Sequence, residues 1–171
     1  MRKPSSGVTL VETLIVIAVT AVLLAIVVPS FTGLLQRQRV QGVAEQALYD
    51  LHEASSLALA RQESVFVGAQ AGRSGSCYIV HVGNKGGCTC SPGGSPVCDA
   101  VSTALKHVAF ASDAPVQLVA ITSRLVTFDA LRARTVSSGS YDFGTDATPI
   151  LRVAASARRL KLCELGKPGC P

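Results

Sequence analysis

The 171-residue sequence has no tryptophan, one methionine and few aromatic side chains, which make up 5% of its residues. This scarcity of rings argues against a stacking platform for nucleic-acid bases. Charged residues are also scarce, at 16% compared with roughly 25% in soluble proteins. Together with a hydrophobic content of 48%, the low charge excludes a disordered or acidic-tail protein. The length allows one domain and one further segment.

Sequence motifs of common enzymes are missing as well. There is no GxSxG nucleophile elbow, no GxxxxGK[ST] phosphate-binding loop and no HExxH metal-binding pair. The three histidines, His52, His81 and His107, have no nucleophile or carboxylate arranged around them in the sequence. We therefore predict a protein that is not an enzyme and that binds no cofactor.

A long apolar run follows a short basic leader at the N-terminus. Between positions 8 and 28, 17 of the 21 residues are Ala, Val, Ile or Leu. As a helix, this run would be about 31 Å long at ~1.5 Å per residue, which is enough to cross a bilayer. We predict a single membrane-spanning helix. Because all six cysteines follow this run, we expect the C-terminal part to be exported to an oxidising compartment.

One acidic residue, Glu12, interrupts the apolar run. A carboxylate inside a membrane span costs about 2.5–3.5 kcal/mol on insertion scales, so Glu12 either finds a partner or reaches towards the lipid head groups. The string Gly7-Val8-Thr9-Leu10-Val11-Glu12 resembles the class III signal of type IV pilins and type II secretion pseudopilins. This resemblance implies cleavage by prepilin peptidase after Gly7 and a role in assembly for Glu12. It also implies N-methylation of Val8, which stands where the family usually has Phe.

The helix is predicted to continue beyond the membrane, to about Gln62. Pro29, which lies at the same distance from the cleavage point as a proline of pilins, is expected to bend it. Small or apolar residues then recur in steps of four and three along one helical face, namely Val40, Ala44, Ala47, Leu51, Ala54 and Ala58. Another face is predicted to carry polar residues, namely Arg39, Gln46, Asp50 and Glu53. We expect the alanine-rich stripe to pack closely against the rest of the protein.

From Ser64 onward, the sequence changes to short β-rich runs between turn residues. The predicted strands are 64–70, 77–82, 105–110, 116–121, 125–129, 135–137, 141–143, 150–154 and 159–162, and residues 83–96 are predicted to form a loop. The layout resembles the GspH/FimT family of minor pilins and pseudopilins. This resemblance implies an α+β fold in which a long N-terminal helix packs on an antiparallel β-sheet domain.

We divide the chain accordingly into four segments. Residues 1–7 are the leader that is removed, and residues 8–29 are the transmembrane and assembly helix. Residues 30–63 are the amphipathic half of the same helix, and residues 64–171 are a β-domain with disulfides.

The six cysteines favour disulfides over a metal site. Cys77, Cys88, Cys90 and Cys98 lie within 22 residues of one another, and Cys163 and Cys170 lie near the C-terminus. The spacing of Cys88 and Cys90 is not the CxxC spacing of a zinc site. We predict no metal and a crosslink between the two C-terminal cysteines, with mixed or free thiols as the alternative. The other four are expected to form two crosslinks whose pairing stays open, although Cys88 and Cys90 are not expected to bond to each other.

Basic residues concentrate late in the sequence, with eight Lys or Arg and four acidic residues between positions 124 and 167. If residues 159–162 form a strand, Arg159 and Lys161 share its solvent face, while Leu160 and Leu162 face the core. One interpretation is an edge strand that charge protects against aggregation. The other is nonspecific binding to the DNA backbone, with contacts predicted from Arg158, Arg159, Lys161, Arg152 and Lys167.

The same stretch resembles the Gly-Arg-x-Arg sequence that FimT-type minor pilins carry just ahead of a Cys and that contributes to DNA binding. Counted back from Cys163, Arg159 and Lys161 take the places of the two arginines, and Arg158 replaces the glycine. Lysine lacks the guanidinium fork that binds phosphate with two parallel hydrogen bonds.

The resemblance as a whole implies a minor pilin. Such a chain is anchored in the inner membrane with its C-terminal domain in the periplasm, and is then incorporated with major and minor pilins in a pilus or its tip complex. DNA binding during natural transformation is a possible added role. The alternatives are a purely structural, pilus-priming subunit and a GspH-like minor pseudopilin of a type II secretion system.

Overall fold

The computed structural model describes residues 9–72, 74–131, 135–145 and 148–170, with only the backbone described for residues 27–30. The chain divides into two compact units, Met1–Arg37 and Gln38–Pro171. Helix α1, Leu10–Arg61, contributes residues to both units.

Helix α1 has 52 residues, and it confirms the prediction of one long helix. Thr9 caps its N-terminus, because the backbone N–H of Glu12 donates to Oγ1 of Thr9 at 3.3 Å. At the other end, Gln62 has a φ of 54°, the left-handed conformation that commonly follows the last helical residue. The helix continues through Pro29, whose side chain lies outside the described residues, so the predicted bend stays a prediction.

Eleven strands follow α1 in the described ranges. They are β1 Val65–Gln70, β2 Ser76–Val82, β3 Cys88–Thr89, β4 Val97–Cys98, β5 Thr103–Phe110, β6 Gln117–Ile121, β7 Leu125–Phe128, β8 Thr135–Ser137, β9 Gly139–Thr145, β10 Thr148–Ala155 and β11 Leu160–Glu164. They form a five-stranded sheet in the order β5-β2-β1-β7-β8, a four-stranded sheet in the order β11-β10-β9-β6, and the pair β3-β4. All of these pairs are antiparallel, which confirms the predicted α+β fold class.

One core of the second unit lies between α1 and the two larger sheets. The six residues of the predicted stripe, from Val40 to Ala58, are each at most 3% exposed, which confirms that this face of the helix is buried. The stripe belongs to one cluster with residues of both sheets, among them Val67 and Phe143. The hydroxyl of Tyr141 donates to the Val67 carbonyl at 3.2 Å and joins the two sheets.

A smaller core lies on the other face of the five-stranded sheet, where Ile79 packs with Cys77, Cys88 and Cys90. The prediction that residues 83–96 are entirely loop is wrong, because β3 lies within them and pairs with β4. The residues opposite each other in this pair, Cys88 and Cys98, are also joined by a disulfide. Residue composition does not indicate strands as short as two residues, but a disulfide between two such strands can hold them together.

All six cysteines are in disulfides. In addition to Cys88–Cys98, the structure joins Cys77 to Cys90 and Cys163 to Cys170. The first two crosslinks fasten the segment around β3 and β4 to the sheet. The third closes the loop that follows β11.

Candidate functional sites

The first unit exposes the apolar run of the sequence. Side chains from Leu10 to Ile26 are exposed, with 78% exposure for Leu10 and 68% for Ile26. Among the described residues, α1 is the one helix that is long and apolar enough to cross a membrane, and none of its most apolar window is buried. An apolar surface of this extent requires a cover that this part of the chain does not supply.

Glu12 lies in the first turn of α1, three residues after Thr9. A threonine at the N-cap with a glutamate three residues later is the spacing of a capping box, and the bond from the Glu12 N–H to Thr9 Oγ1 is the half of it that the structure shows. Helix capping is thus a local reason for an acidic residue at this position, beside the role in assembly that the resemblance implies. Gly7 and Val8 lie outside the described residues, so cleavage and methylation there stay predictions.

Asp50 is buried, although the sequence places it with polar residues on another face of the helix than the alanine stripe. Its carboxylate accepts hydrogen bonds from the Tyr78 hydroxyl at 2.7 Å, from Nζ of Lys106 at 2.7 Å and from Nε2 of Gln46 at 2.8 Å. Burial and the bond to Asp50 raise the pKa of Tyr78, and the bond to Asp50 raises the pKa of Lys106. This network fixes α1 to β2 and β5, and it is a structural rather than a chemical centre.

The basic cluster near the C-terminus lies mainly in a turn. Strand β11 begins at Leu160, so the prediction that Arg159 lies within the last strand is wrong. Residues 156–159 instead connect β10 and β11, and the Ser156 N–H donates to the Arg159 carbonyl at 3.1 Å. The Ser156 hydroxyl donates to the same carbonyl at 2.8 Å. Arg158 and Arg159 are both exposed in this turn.

The other three predicted DNA contacts have partners within the chain. Arg152 forms a forked ion pair with Asp142, in which Nε is 2.7 Å from Oδ1 and Nη2 is 2.8 Å from Oδ2. Nζ of Lys167 is 2.6 Å from Oε2 of Glu164.

Lys161 is half-buried, and its Nζ donates to the carbonyl of Gly169 at 2.6 Å. Of the five predicted contacts, Arg158, Arg159 and Lys167 are exposed, and Lys167 is held in its ion pair.

A depression of about 380 Å³ adjoins the turn, lined by Ala154, Ser156, Arg159, Lys161, Gly169 and Cys170. The β10–β11 hairpin forms one side, and the loop closed by the Cys163–Cys170 disulfide forms the other. Two cations and a hydroxyl border the same depression. These are the groups that bind phosphate oxygens in proteins.

Comparison with known proteins gives two results. Residues 2–28 match the model of the prokaryotic N-terminal methylation motif. Among solved structures, the chain is similar to the crystal structure of the type IV minor pilin FimU of Pseudomonas aeruginosa strain PAO1, at 17% sequence identity and a TM-score of 0.49, over 77% of this chain and 92% of that one. No curated protein matches the chain. The methylation-motif match confirms the prediction from residues 7–12: the chain begins with the N-terminal motif of prepilin-type proteins.

Proposed function

We propose that the chain is a minor pilin of a type IV pilus. Prepilin peptidase cuts it after Gly7, Val8 is methylated, and α1 anchors it in the inner membrane with the β-domain in the periplasm. The observation that carries the proposal is a methylation motif over residues 2–28 whose apolar part forms the start of α1, with side chains exposed from Leu10 to Ile26. Such a surface is stable in lipid, and it can exchange lipid for apolar helices of other pilins when a filament forms.

In this proposal, Glu12 guides assembly through its charge. Cleavage after Gly7 turns Val8 into a cationic amine, and the amine of one subunit can pair with Glu12 of its neighbour. The pair offsets the cost of placing two charges in an apolar filament core. If Glu12 only caps the helix, its negative charge is not required. Glutamine should then serve as well as glutamate, because it can make the same capping hydrogen bond without a charge.

The test compares Glu12→Gln with Glu12→Ala in the full chain. Mass spectrometry of the N-terminus measures leader removal, and immunoblots of sheared pili measure incorporation. We expect both variants to lose the leader and both to fall about tenfold or more in pili, because each leaves a buried amine without its counter-charge. Wild-type incorporation of Glu12→Gln would assign Glu12 to helix capping. Residues 1–7 still attached to the mature wild-type protein would overturn the pilin proposal itself.

A second role, nonspecific binding of the DNA backbone, is supported by the basic turn. Arg158 and Arg159 are exposed at the tip of a hairpin, and Arg159 and Lys161 border the adjoining depression. Guanidinium groups bind phosphates with paired hydrogen bonds and without reading bases. We assign the contact to these three residues, because Arg152 and Lys167 are held in ion pairs.

Fluorescence anisotropy with labelled duplex DNA tests this role on the full chain in uncharged detergent. Two to three phosphate contacts predict a slope of about −1.8 to −2.7 in log K against log salt. We expect the Arg158→Gln/Arg159→Gln double variant to bind more weakly and with a slope closer to −0.9. Lys85→Gln, which removes an exposed cation elsewhere, serves as the control and should bind like wild type. Equal binding by the double variant and wild type would remove the turn from the proposal.

The methylation motif also fits a minor pseudopilin of type II secretion. Deletion of the gene separates the two functions, because loss of a minor pilin reduces pili whereas loss of a pseudopilin reduces secretion of exported proteins. Normal pili together with a secretion defect would replace the pilin proposal by the pseudopilin alternative.

A further inference from the structure

A depression of about 690 Å³ lies on the second unit, apart from the basic turn. One wall is the end of β1 and the residue after it, from position 68 to 71. The second wall contains β3 and its neighbours Gly86 and Cys90, and the third is the turn between β6 and β7.

The walls of this depression are held in place. Cys88 and Cys90 lie on one wall, and disulfides join them to Cys98 and Cys77. On another wall, the Ala69 N–H donates to the Arg124 carbonyl at 2.9 Å, which fixes the β6–β7 turn to the end of β1. A site whose walls are ordered before a ligand arrives loses little conformational entropy on binding.

Arg124 gives the depression its charge. It is the one ionisable side chain among the described lining residues, and it is exposed while its main chain is anchored. A guanidinium recognises a carboxylate through two parallel N–H···O bonds. Because no acidic side chain appears among the described lining residues, the charge of the depression favours an acidic ligand over a basic one.

The shape favours an extended chain over a small anion. The position that a Cβ of Gly68 would occupy is 3.9 Å from the carbonyl oxygens of Cys88 and Arg124, so main-chain groups border the floor. Strand β1 runs to Gln70, whereas its described pairing with β7 ends where Gly68 lies opposite Leu125. On its opposite side β1 pairs with β2 up to Gln70, and on the β7 side the Ala69 N–H already bonds to the Arg124 carbonyl. The side of Gln70 and Ala71 that faces away from β2 is the part that lies past the pairing with β7, and the main chain of an added peptide can run there.

We propose that this depression binds an extended segment of another polypeptide that carries an acidic side chain. The carboxylate pairs with Arg124, and the main chain of the segment runs beside Gln70 and Ala71. The site is separate from Glu12 and from the basic turn, so it gives the β-domain a recognition surface for a partner protein in addition to any filament contact or DNA contact.

The test uses two fluorescein-labelled, end-blocked peptides, Thr-Val-Glu-Val-Thr and its glutamine counterpart Thr-Val-Gln-Val-Thr. Anisotropy titrations of the full chain in uncharged detergent compare wild type with Arg124→Gln and with Lys85→Gln, a matched exposed cation outside the described lining. We expect wild type and Lys85→Gln to prefer the glutamate peptide about tenfold, in the range of a charge-assisted bidentate pair. Arg124→Gln should bind both peptides alike.

A second variant, Thr89→Trp, places a large side chain on the wall from an exposed position, and it should weaken both peptides. Circular dichroism and thiol titration confirm that each variant is folded with its disulfides formed. Equal binding of the two peptides to wild type, an unchanged preference in Arg124→Gln, or no saturable binding of the glutamate peptide at about 1 mM would overturn the proposal. Because neither Glu12 nor Arg158 takes part, these failures would leave the proposed function untouched.

Discussion

Two acidic side chains of helix α1, Glu12 in its first half and Asp50 in its second, differ in what the chain provides for them. Glu12 is exposed in the first turn, among apolar side chains that are exposed as well. The side chain of Asp50 is 1% exposed and accepts three hydrogen bonds, within a half whose apolar stripe is covered by two sheets. The second half thus finds its partners inside the chain. The first half exposes both its charge and its apolar surface, which other molecules cover in the proposed function.

The comparison predicts its largest effect at Asp50. Asp50→Ala leaves the buried Tyr78 hydroxyl and the Lys106 ammonium without their acceptor, and we expect the free energy of unfolding of the second unit to fall by about 3 kcal/mol. This value is at the low end for a broken buried pair, because the Lys106 side chain is 37% exposed. Urea unfolding followed by circular dichroism measures the change. Glu53→Ala, at an exposed position of the same helix, is the control and should change stability by less than ~0.5 kcal/mol.

The alanine stripe predicts the next largest effect. Ala54 is fully buried, so Ala54→Leu adds volume at a close helix–sheet contact, and we expect it to destabilise the second unit by about 2 kcal/mol. Ala21→Leu makes the same change at an exposed position of the first half, and it should leave the unfolding free energy of the second unit unchanged. Equal stability of Ala54→Leu and wild type would show that the stripe is loosely packed.

His81 is a buried side chain of the second unit, and its protonation is expected to destabilise the folded protein. It is fully buried and stacks on Phe66 with ring centroids 5.3 Å apart. Burial lowers its pKa, against smaller opposing effects of the Val82 backbone and the Asp99 carboxylate. Because the unfolded chain then binds the proton more readily, stability is complete above the unfolded pKa of about 6.5 and falls as the pH drops below it.

The expected loss is at most about 1.4 kcal/mol per pH unit below 6.5, until the folded protein also binds the proton. Urea unfolding at a series of pH values, with wild type compared to His81→Leu, measures it. The variant should lack this part of the pH dependence, whereas His52→Gln, at an exposed position, should keep it. An identical pH profile for His81→Leu and wild type would contradict the prediction.

The smallest effect is expected at Glu12. Because the first half takes no part in the core of the second unit, Glu12→Gln should change the unfolding free energy of that unit by less than ~0.5 kcal/mol, even if incorporation in pili is lost. Urea unfolding in detergent checks this. A large loss of stability would mean that the two acidic residues play similar roles, and it would break the comparison.

Patterns that depend on neighbours in the sequence were predicted well. The 3.6-residue period identified the whole buried stripe, because one helical face meets one core. Short β-rich runs between turn residues identified all of the longer strands. Residues whose environment depends on distant partners were missed. Asp50 lies three residues after Ala47 and therefore close to the stripe, which was the available signal. Its burial becomes understandable only with Tyr78 and Lys106, 28 and 56 residues away.

The candidate sites show the same limit. The motif around Glu12 is local, and the sequence sufficed to find it. The basic cluster is smaller in space than in sequence, because Arg152 pairs with Asp142 on a neighbouring strand and Lys167 pairs with Glu164. The depression around Arg124 combines three segments from different parts of the chain, and no spacing in the sequence indicates it.

The Cys88–Cys98 disulfide brackets a glycine-rich stretch whose Gly93, Gly94 and Ser95 are exposed. Stretches of this kind are where extracellular proteases cut most readily. A single nick between the two cysteines leaves both new ends covalently tethered, so the fragments stay together under oxidising conditions and part only after reduction. The domain can therefore survive proteolytic damage to this exposed loop.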